Sequence, residues 1–241
     1  SLVDNLGLQD LKGKTFLDVG SGSGLFSLAA HRLGATVFSF DYDQDSVNCT
    51  QSLKENYGNK DQAWSVQQGS VLDRAFLKQF GQVDIVYSWG VLHHTGNMMQ
   101  AFENIVPLVK DQGCLFLSIY NDQGKISKHW EWIKGSYNRS GFLIKFLCVF
   151  YTFFKQQWAS TMIRDLLKSG NPLKNWLEYQ KNNRGMSAWH DLIDWVGGYP
   201  FEVAKPEGVF DFFKKKGFSL SYLKTCAGGL GCNEFVFRKG L

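Results

Sequence analysis

The stretch Asp18-Val19-Gly20-Ser21-Gly22-Ser23-Gly24 sets three glycines two residues apart, directly behind an acid and a short apolar run. Glycine permits a tight turn and lets a ligand approach the main chain, so such a loop between a strand and a helix suits a nucleotide. About 20 residues further on, such folds carry an acid that grips two ribose hydroxyls. Asp41, in Phe40-Asp41-Tyr42-Asp43, stands at that distance. Two cofactor classes compete for the loop. A dinucleotide site has the spacing G-x-G-x-x-G, whose third glycine would fall on Leu25. Here Gly24 makes the spacing G-x-G-x-G, and Asp18 precedes it. That pattern fits a nucleoside with an amino-acid tail, which has no pyrophosphate to cradle and whose ammonium Asp18 can face directly or through water. An NAD(P)-dependent Rossmann oxidoreductase is the alternative. The Y-x-x-x-K of such enzymes is matched by Tyr151 and Lys155, but inside an apolar run and without the accompanying Thr-Gly-rich loop.

Proton transfer near neutral pH is histidine chemistry, and two places offer it. His93 and His94 follow an apolar strand-like run. One of them contacts or deprotonates an acceptor, or else caps the following helix or braces the loop. The second place is the run 184–195, in which His190 and Asp194 are four apart and would share a helical face, with Asp191 adjoining them. The expectation is that Asp191 or Asp194 holds His190. Tyr199 and Glu202, around the turn after it, add a phenol and a carboxylate to a half-buried acceptor pocket. The plain alternative is a surface helix and a turn. His31 reads as structural, and His129 has no assigned role.

Short β-like runs alternate with helical stretches, the pattern of a parallel sheet covered on both faces. Strands are predicted at 15–19, 35–40, 64–67, 83–89 and 113–120, with helices over 25–33, 45–57 and 97–109. From 121 to 200 only helical and loop signals occur. Residues 206–217 read as a last helix, and 218–223 and 234–237 as antiparallel terminal strands around a glycine-rich turn. The chain is thus predicted to be one domain, 1–241, with a helical insertion or lid at 121–200 hinged at Tyr120 and Asn121. That insertion is expected over the carboxyl ends of the sheet. The first strand begins at residue 15, so a further helix is expected ahead of Ser1.

Aromatics make up 15% of the chain, and ten of them fall between Trp130 and Trp158. The run 142–154 is apolar on nearly every face. It packs the core of the insertion, forms a lid over a hydrophobic acceptor, or touches a membrane peripherally. At 13 residues with Lys145 inside, it is short of the ~20 a bilayer span needs. The net charge of +4 is not gathered into a basic stripe, which disfavours nucleic acid. Five cysteines without CxxC spacing argue against a zinc site or a disulfide framework and favour a reducing, cytoplasmic setting. No secretory signal is evident at residues 1–10.

From Phe16 to Tyr120 the chain resembles the class I S-adenosylmethionine-dependent methyltransferases, in particular the small-molecule branch with the ubiquinone-type quinol O-methyltransferases. The resemblance implies an α/β fold with a seven-stranded Rossmann-like sheet of order 3-2-1-4-5-7-6, last strand antiparallel. It implies S-adenosyl-L-methionine as cofactor, and no metal is expected because His93 stands where acid-bearing relatives have their acid. Asp18, Gly20, Ser21, Gly22 and Gly24 match the family's first motif, Asp41 the ribose acid, and Tyr42 the residue that packs on adenine. The family often has Gly-Asp after strand 3. Here the pair is Gly69-Ser70, so Ser70, with Val71 beside it, or Asp73 is expected at the adenine. Trp89 and Gly90 fall where the main chain runs beside the methionine moiety. In Val91-Leu92-His93-His94, His93 replaces the family's acid. Nucleic-acid methylation is disfavoured, because neither an Asn/Asp-Pro-Pro-Tyr motif nor a Pro-Cys nucleophile occurs after strand 4. The expected reaction is O-methylation of an aromatic or hydrophobic small molecule, with His94, His190 and Asp191 as catalytic candidates. His93, Tyr120, Asn121, Asp194, Tyr199 and Glu202 are the candidates for acceptor binding. A non-catalytic cofactor-binding scaffold is the reading of another kind.

Overall fold

Strand Thr15–Val19 (β1) runs into the glycine loop and helix Leu25–Arg32 (α1); Thr36–Asp41 (β2) and Gln44–Tyr57 (α2) follow. The computed structural model describes residues 6–7, 9–59, 61–155, 158–182 and 187–240. Trp64–Gln68 (β3), Arg74–Leu77 (α3), Val83–Trp89 (β4), Met98–Ile105 (α4) and Val109–Tyr120 (β5) complete the first pass of alternating elements. The chain closes with helix Pro206–Lys215 (α10), Phe218–Lys224 (β6) and Cys232–Lys239 (β7). The seven strands lie in the order β3-β2-β1-β4-β5-β7-β6. β7 is antiparallel to both β5 and β6, while the other pairings are parallel. This is the expected Rossmann-like methyltransferase sheet.

Strand side chains alternate between faces, and the core divides accordingly. Leu17, Val86, Leu115, Leu117, Phe235 and Phe237 face α4 and α10, packing with Phe102 and Phe213. Phe16, Val37, Ile85, Tyr87, Phe116 and Val236 face the other way, with Leu28 and Ala30 of α1. Burial on both faces explains why these strands read as continuous apolar runs. β5 begins at Val109, earlier than its apolar run, because the pairing of Val109 with Val83 precedes an irregularity in the ladder.

The chain divides into two compact units: Gly124–Phe201, and the remainder, which carries the sheet. The helical unit contains Lys125–Arg139 (α5), Phe142–Lys155 (α6), Trp158–Ser169 (α7), Lys174–Asn182 (α8) and Ala188–Gly197 (α9). Breaks fall at Ser140-Gly141 and at Gly170-Asn171-Pro172, residues that stop helices. One expectation is overturned. The 142–154 run does not form the packed core of this unit, since Phe142, Leu143, Phe146, Leu147, Phe150 and Phe154 are exposed. The interior is built instead from Trp130, Ile133, Ala188, Leu192 and Val196, one-sided stripes at helical spacing.

Candidate cofactor site at the switch point of the sheet

β1 pairs with β2 on one side and β4 on the other, so the connections after β1 and β4 leave in opposite directions. Such a switch point is where open α/β sheets bind ligands. The glycine loop lies there. Gly20, Gly22 and Gly24 all have positive φ, at 79°, 52° and 76°. Gly20 and Ser21 donate to the Phe40 carbonyl at 2.9 and 3.1 Å, which ties the loop to the end of β2. A Cβ on Gly20 would lie 2.4 Å from Val91 Cγ1, whereas one on Gly22 would meet nothing within 4 Å. Gly22 is thus the glycine whose backbone is open to a ligand. Gly90, with φ of 78°, is similarly open on the β4 side, and its amide donates to the Ser118 carbonyl at 3.3 Å.

Asp41 ends β2 and turns into this loop. Its Oδ2 accepts the Gly22 amide at 2.9 Å and its Oδ1 the Asp43 amide at 3.0 Å. Each oxygen has a further lone pair with which to accept a hydroxyl. Tyr42 beside it is 79% exposed. Thr50, which no sequence motif marks, braces the loop from α2. Its hydroxyl donates to the Gly22 carbonyl and is 3.0 Å from Ser21 Oγ, and Gly24 packs against it. Its only sequence signal is its place three residues after Val47 on the buried side of α2.

Asp18 is the residue expected to face the ligand's ammonium, directly or through water. It is buried, and its Oδ2 accepts a 2.5 Å bond from Ser27 of α1, which also meets Ser39 of β2 at 2.7 Å. Burial raises its pKa to about 7, with the Asp41 charge adding to the rise and the Ser27 bond opposing it. In the loop after β3, Ser70 Oγ accepts the Leu72 amide at 3.1 Å. Val71 sits in the core, with its carbonyl accepting from Asn104. Asp73 caps α3 by accepting the Ala75 and Phe76 amides. Trp89 is half-buried against Phe26.

The histidine pair lies in a 3-10 turn, Leu92–His94. His93 is buried; its Nδ1 accepts the Tyr120 amide at 3.3 Å and its ring lies 4.0 Å from the Tyr120 ring. His94 is half-buried and stands edge-on to Tyr120, at 5.4 Å and 89°. Asn97 caps the next helix, and Glu202 reinforces the cap by accepting the Met98 amide with both oxygens at 3.0 Å. Glu202, expected at an acceptor, thus meets a helix N-terminus. Asn121 is likewise engaged by Gly229, Gly231 and Asn233.

Within the helical unit, residues 184–186 of the expected acceptor run lie outside the described residues. His190 is exposed at the start of α9. Ser187, not Asp191 or Asp194, holds it: the N-cap hydroxyl lies 2.6 Å from His190 Nδ1 and accepts its amide. The reason is positional, since the N-cap hydroxyl sits over the first turn. Asp191 instead accepts from Tyr179 at 2.6 Å, Asp194 is exposed, and the Tyr199 hydroxyl accepts from Arg139 at 2.7 Å. Lys134, which no sequence pattern marked, is fully buried, donates to the Trp195 carbonyl and lies 4.0 Å from the Trp195 ring centre. Burial lowers its pKa to about 7. His129 Nε2 lies 2.7 Å from the Tyr151 hydroxyl. Among the described residues, no cluster of His, Cys, Asp and Glu has the makings of a metal site.

A mixed sheet with a glycine loop at the switch point of its parallel part and an acid at the end of β2 defines a nucleoside-binding α/β unit. Residues 1–187 match the family model described as a methyltransferase domain, and the chain belongs to that family. Ribosomal protein L11 methyltransferase from Streptococcus thermophilus is 30% identical over 134 residues, 55% of this chain and 38% of that protein. The chain thus matches well under half the length of that curated relative. Two solved structures share the fold. Magnesium protoporphyrin IX methyltransferase from Synechocystis PCC 6803, with bound S-adenosylhomocysteine, gives a TM-score of 0.55 at 15% identity, covering 99% of this chain and 79% of that one. An S-adenosylmethionine-dependent methyltransferase from Listeria monocytogenes, described as a tentative assignment in its own name, gives 0.56 at 13%, covering 97% and 94%.

Proposed function

We propose that the protein is an S-adenosylmethionine-dependent methyltransferase acting on a hydroxyl of a small aromatic or hydrophobic molecule. The observation that carries the cofactor is Asp41, held by the Gly22 amide at 2.9 Å with lone pairs left for two vicinal hydroxyls. Asp41 would hold the ribose, exposed Tyr42 would cover the adenine, and Gly22 and Gly90 would admit the rest of the ligand to the main chain. When bound, the cofactor supplies a methyl group on a sulfonium, which leaves readily and needs no metal.

What remains for the protein is to position the acceptor, exclude water and take its proton. His94 suits the proton transfer, being half-buried in the turn after β4 with its ring against Tyr120. His93 suits positioning, since its bond to the Tyr120 amide locks the turn to β5. The chain enters and leaves the helical unit at Gln123–Gly124 and Phe201–Glu202, close in sequence to Tyr120 and to the Glu202 that braces α4. That connectivity supports assigning acceptor choice to the helical unit, with His190 as its own candidate base.

A protein acceptor is the second reading, favoured by the match to the ribosomal protein L11 methyltransferases. Isothermal titration with S-adenosylhomocysteine and with NADPH tests the cofactor. Binding of NADPH alone would replace the reading with an oxidoreductase. Methyl-labelled S-adenosylmethionine, incubated with the protein and a cell extract, separates the acceptors. Label in the organic phase supports a small molecule; label in precipitated protein supports the second reading.

A further inference from the structure

A helix of a water-soluble unit ordinarily turns its apolar stripe inward. α6 does the reverse. Its buried positions are Cys148 and Thr152, one turn apart, with the Thr152 hydroxyl donating to the Cys148 carbonyl at 2.7 Å. Phe142, Leu143, Phe146, Leu147, Phe150 and Phe154 face outward, and Phe142 is 84% exposed. α7 repeats the inversion. It buries Asp165, which accepts from the Asn175 amide and side chain at 2.9 and 2.6 Å, and exposes Ile163, Leu166 and Leu167.

Charge indicates what covers this face. Between Gly124 and Phe201 eleven lysines and arginines stand against five acids, a formal +6; the remainder, with fifteen against seventeen, carries −2. Two of the five acids, Asp165 and Asp191, are bonded to neighbouring residues of the unit. Lys145, Lys155, Arg164 and Lys168 are exposed on the two inverted helices, and none of them forms an ion pair among the described residues. A second copy of this face would set Lys145, Lys155, Arg164 and Lys168 against the same four cations. An anionic lipid surface answers both features: phenylalanine and leucine side chains enter the acyl boundary while the cations stay among the headgroups. At 1.5 Å per residue α6 is about 21 Å long, short of the ~30 Å hydrocarbon core. No helix of the described residues is long and apolar enough to cross a membrane.

We propose that α6, assisted by α7, seats the protein peripherally on anionic bilayers. The test is co-sedimentation of the whole chain with vesicles of phosphatidylcholine alone and of phosphatidylcholine mixed with phosphatidylglycerol. Binding is expected to the mixed vesicles, to weaken as salt is raised, and to fall at least about tenfold in Phe146→Ser/Phe150→Ser. Because both side chains are exposed, the variant should keep the parent's circular dichroism and melting temperature. Lys145→Glu/Lys155→Glu should lose the preference for anionic lipid while the apolar residues remain. Failure to sediment with either vesicle overturns the proposal, as does binding that ignores both double variants. A concentration-dependent dimer dissolved by the phenylalanine substitutions, or retention on RNA without retention on vesicles, would assign the face to a different partner and equally overturn it.

Discussion

Asp41 reaches back across the glycine loop to Gly22, so the acid at the end of β2 and the open backbone of the loop form one hydrogen-bonded unit. The consequence is measurable. Asp41→Ala should weaken S-adenosylhomocysteine binding by about 1.5 to 3 kcal/mol, the range for hydrogen bonds to a charged group. Titration calorimetry reads this directly, and an unchanged dissociation constant would remove Asp41 from the site.

Gly20 is constrained for another reason. Its φ of 79° disfavours any side chain, and a Cβ would press on Val91 at 2.4 Å. Gly20→Ala is expected to cost about 2 to 4 kcal/mol of stability, combining left-handed strain with overpacking. Adding Val91→Ala should return the overpacking share and leave the backbone strain. If urea unfolding shows no recovery in the double variant, the contact is not the cause.

The strands at the centre of the sheet were legible because each is buried on both faces and reads as an apolar run. Asp41 was legible because the loop-to-acid distance is a property of the βαβ unit. The acceptor side was less so. The spacing of His190 and Asp194 by four signalled a shared face, but the Ser187 cap takes the ring first. Glu202 looked like a free carboxylate because nothing local reveals that it meets Met98, 104 residues away. The run 142–154 was ambiguous in principle, since an all-apolar helix carries no pattern that says which side faces out.

Asp18 gives a pH signature. Its folded pKa of about 7 lies above the ordinary 3.8, so its contribution to stability is complete below about pH 4 and is lost as pH rises through 7. Between those values the parent should lose stability relative to Asp18→Asn. An ammonium brought to Asp18 by a ligand would favour the ionised form. S-adenosylhomocysteine binding at pH 7 should then release a fraction of a proton. Calorimetry in phosphate and in Tris would give different heats for the parent and equal heats for Asp18→Asn. Equal heats for the parent would mean that Asp18 does not meet the ammonium.

Lys134 gives the opposite sign. Its pKa, lowered from 10.5 to about 7, means stability that is present above about 10.5 and lost as pH falls through 7. Lys134→Met keeps the stem within the aromatic pocket and removes the titration. As pH falls from 10 to 7 the variant should gain on the parent, read from thermal melts followed by tryptophan fluorescence. Parallel pH profiles of the two proteins would show that Lys134 keeps its ordinary pKa.

The histidines can be separated by what each substitution damages. His93 is buried and bonded to the Tyr120 amide, so His93→Ala should lower stability by about 1 to 3 kcal/mol, the cost of leaving a buried group unpaired. His94 is half-buried, and its removal should leave the fold intact. If His94 is the base, His94→Ala should cut turnover by the roughly 10²- to 10⁴-fold typical of general-base catalysis, with cofactor affinity nearly unchanged. His190→Ala supplies the contrast. Its ring is exposed and bonded to Ser187, so its loss should matter less than that of His94. A larger fall for His190→Ala would move the base to the helical unit. If both variants keep turnover within about threefold of the parent, below the general-base range, neither ring takes the proton. The acceptor would then be a group acidic enough to lose its proton unaided, such as an acidic phenol or a thiol.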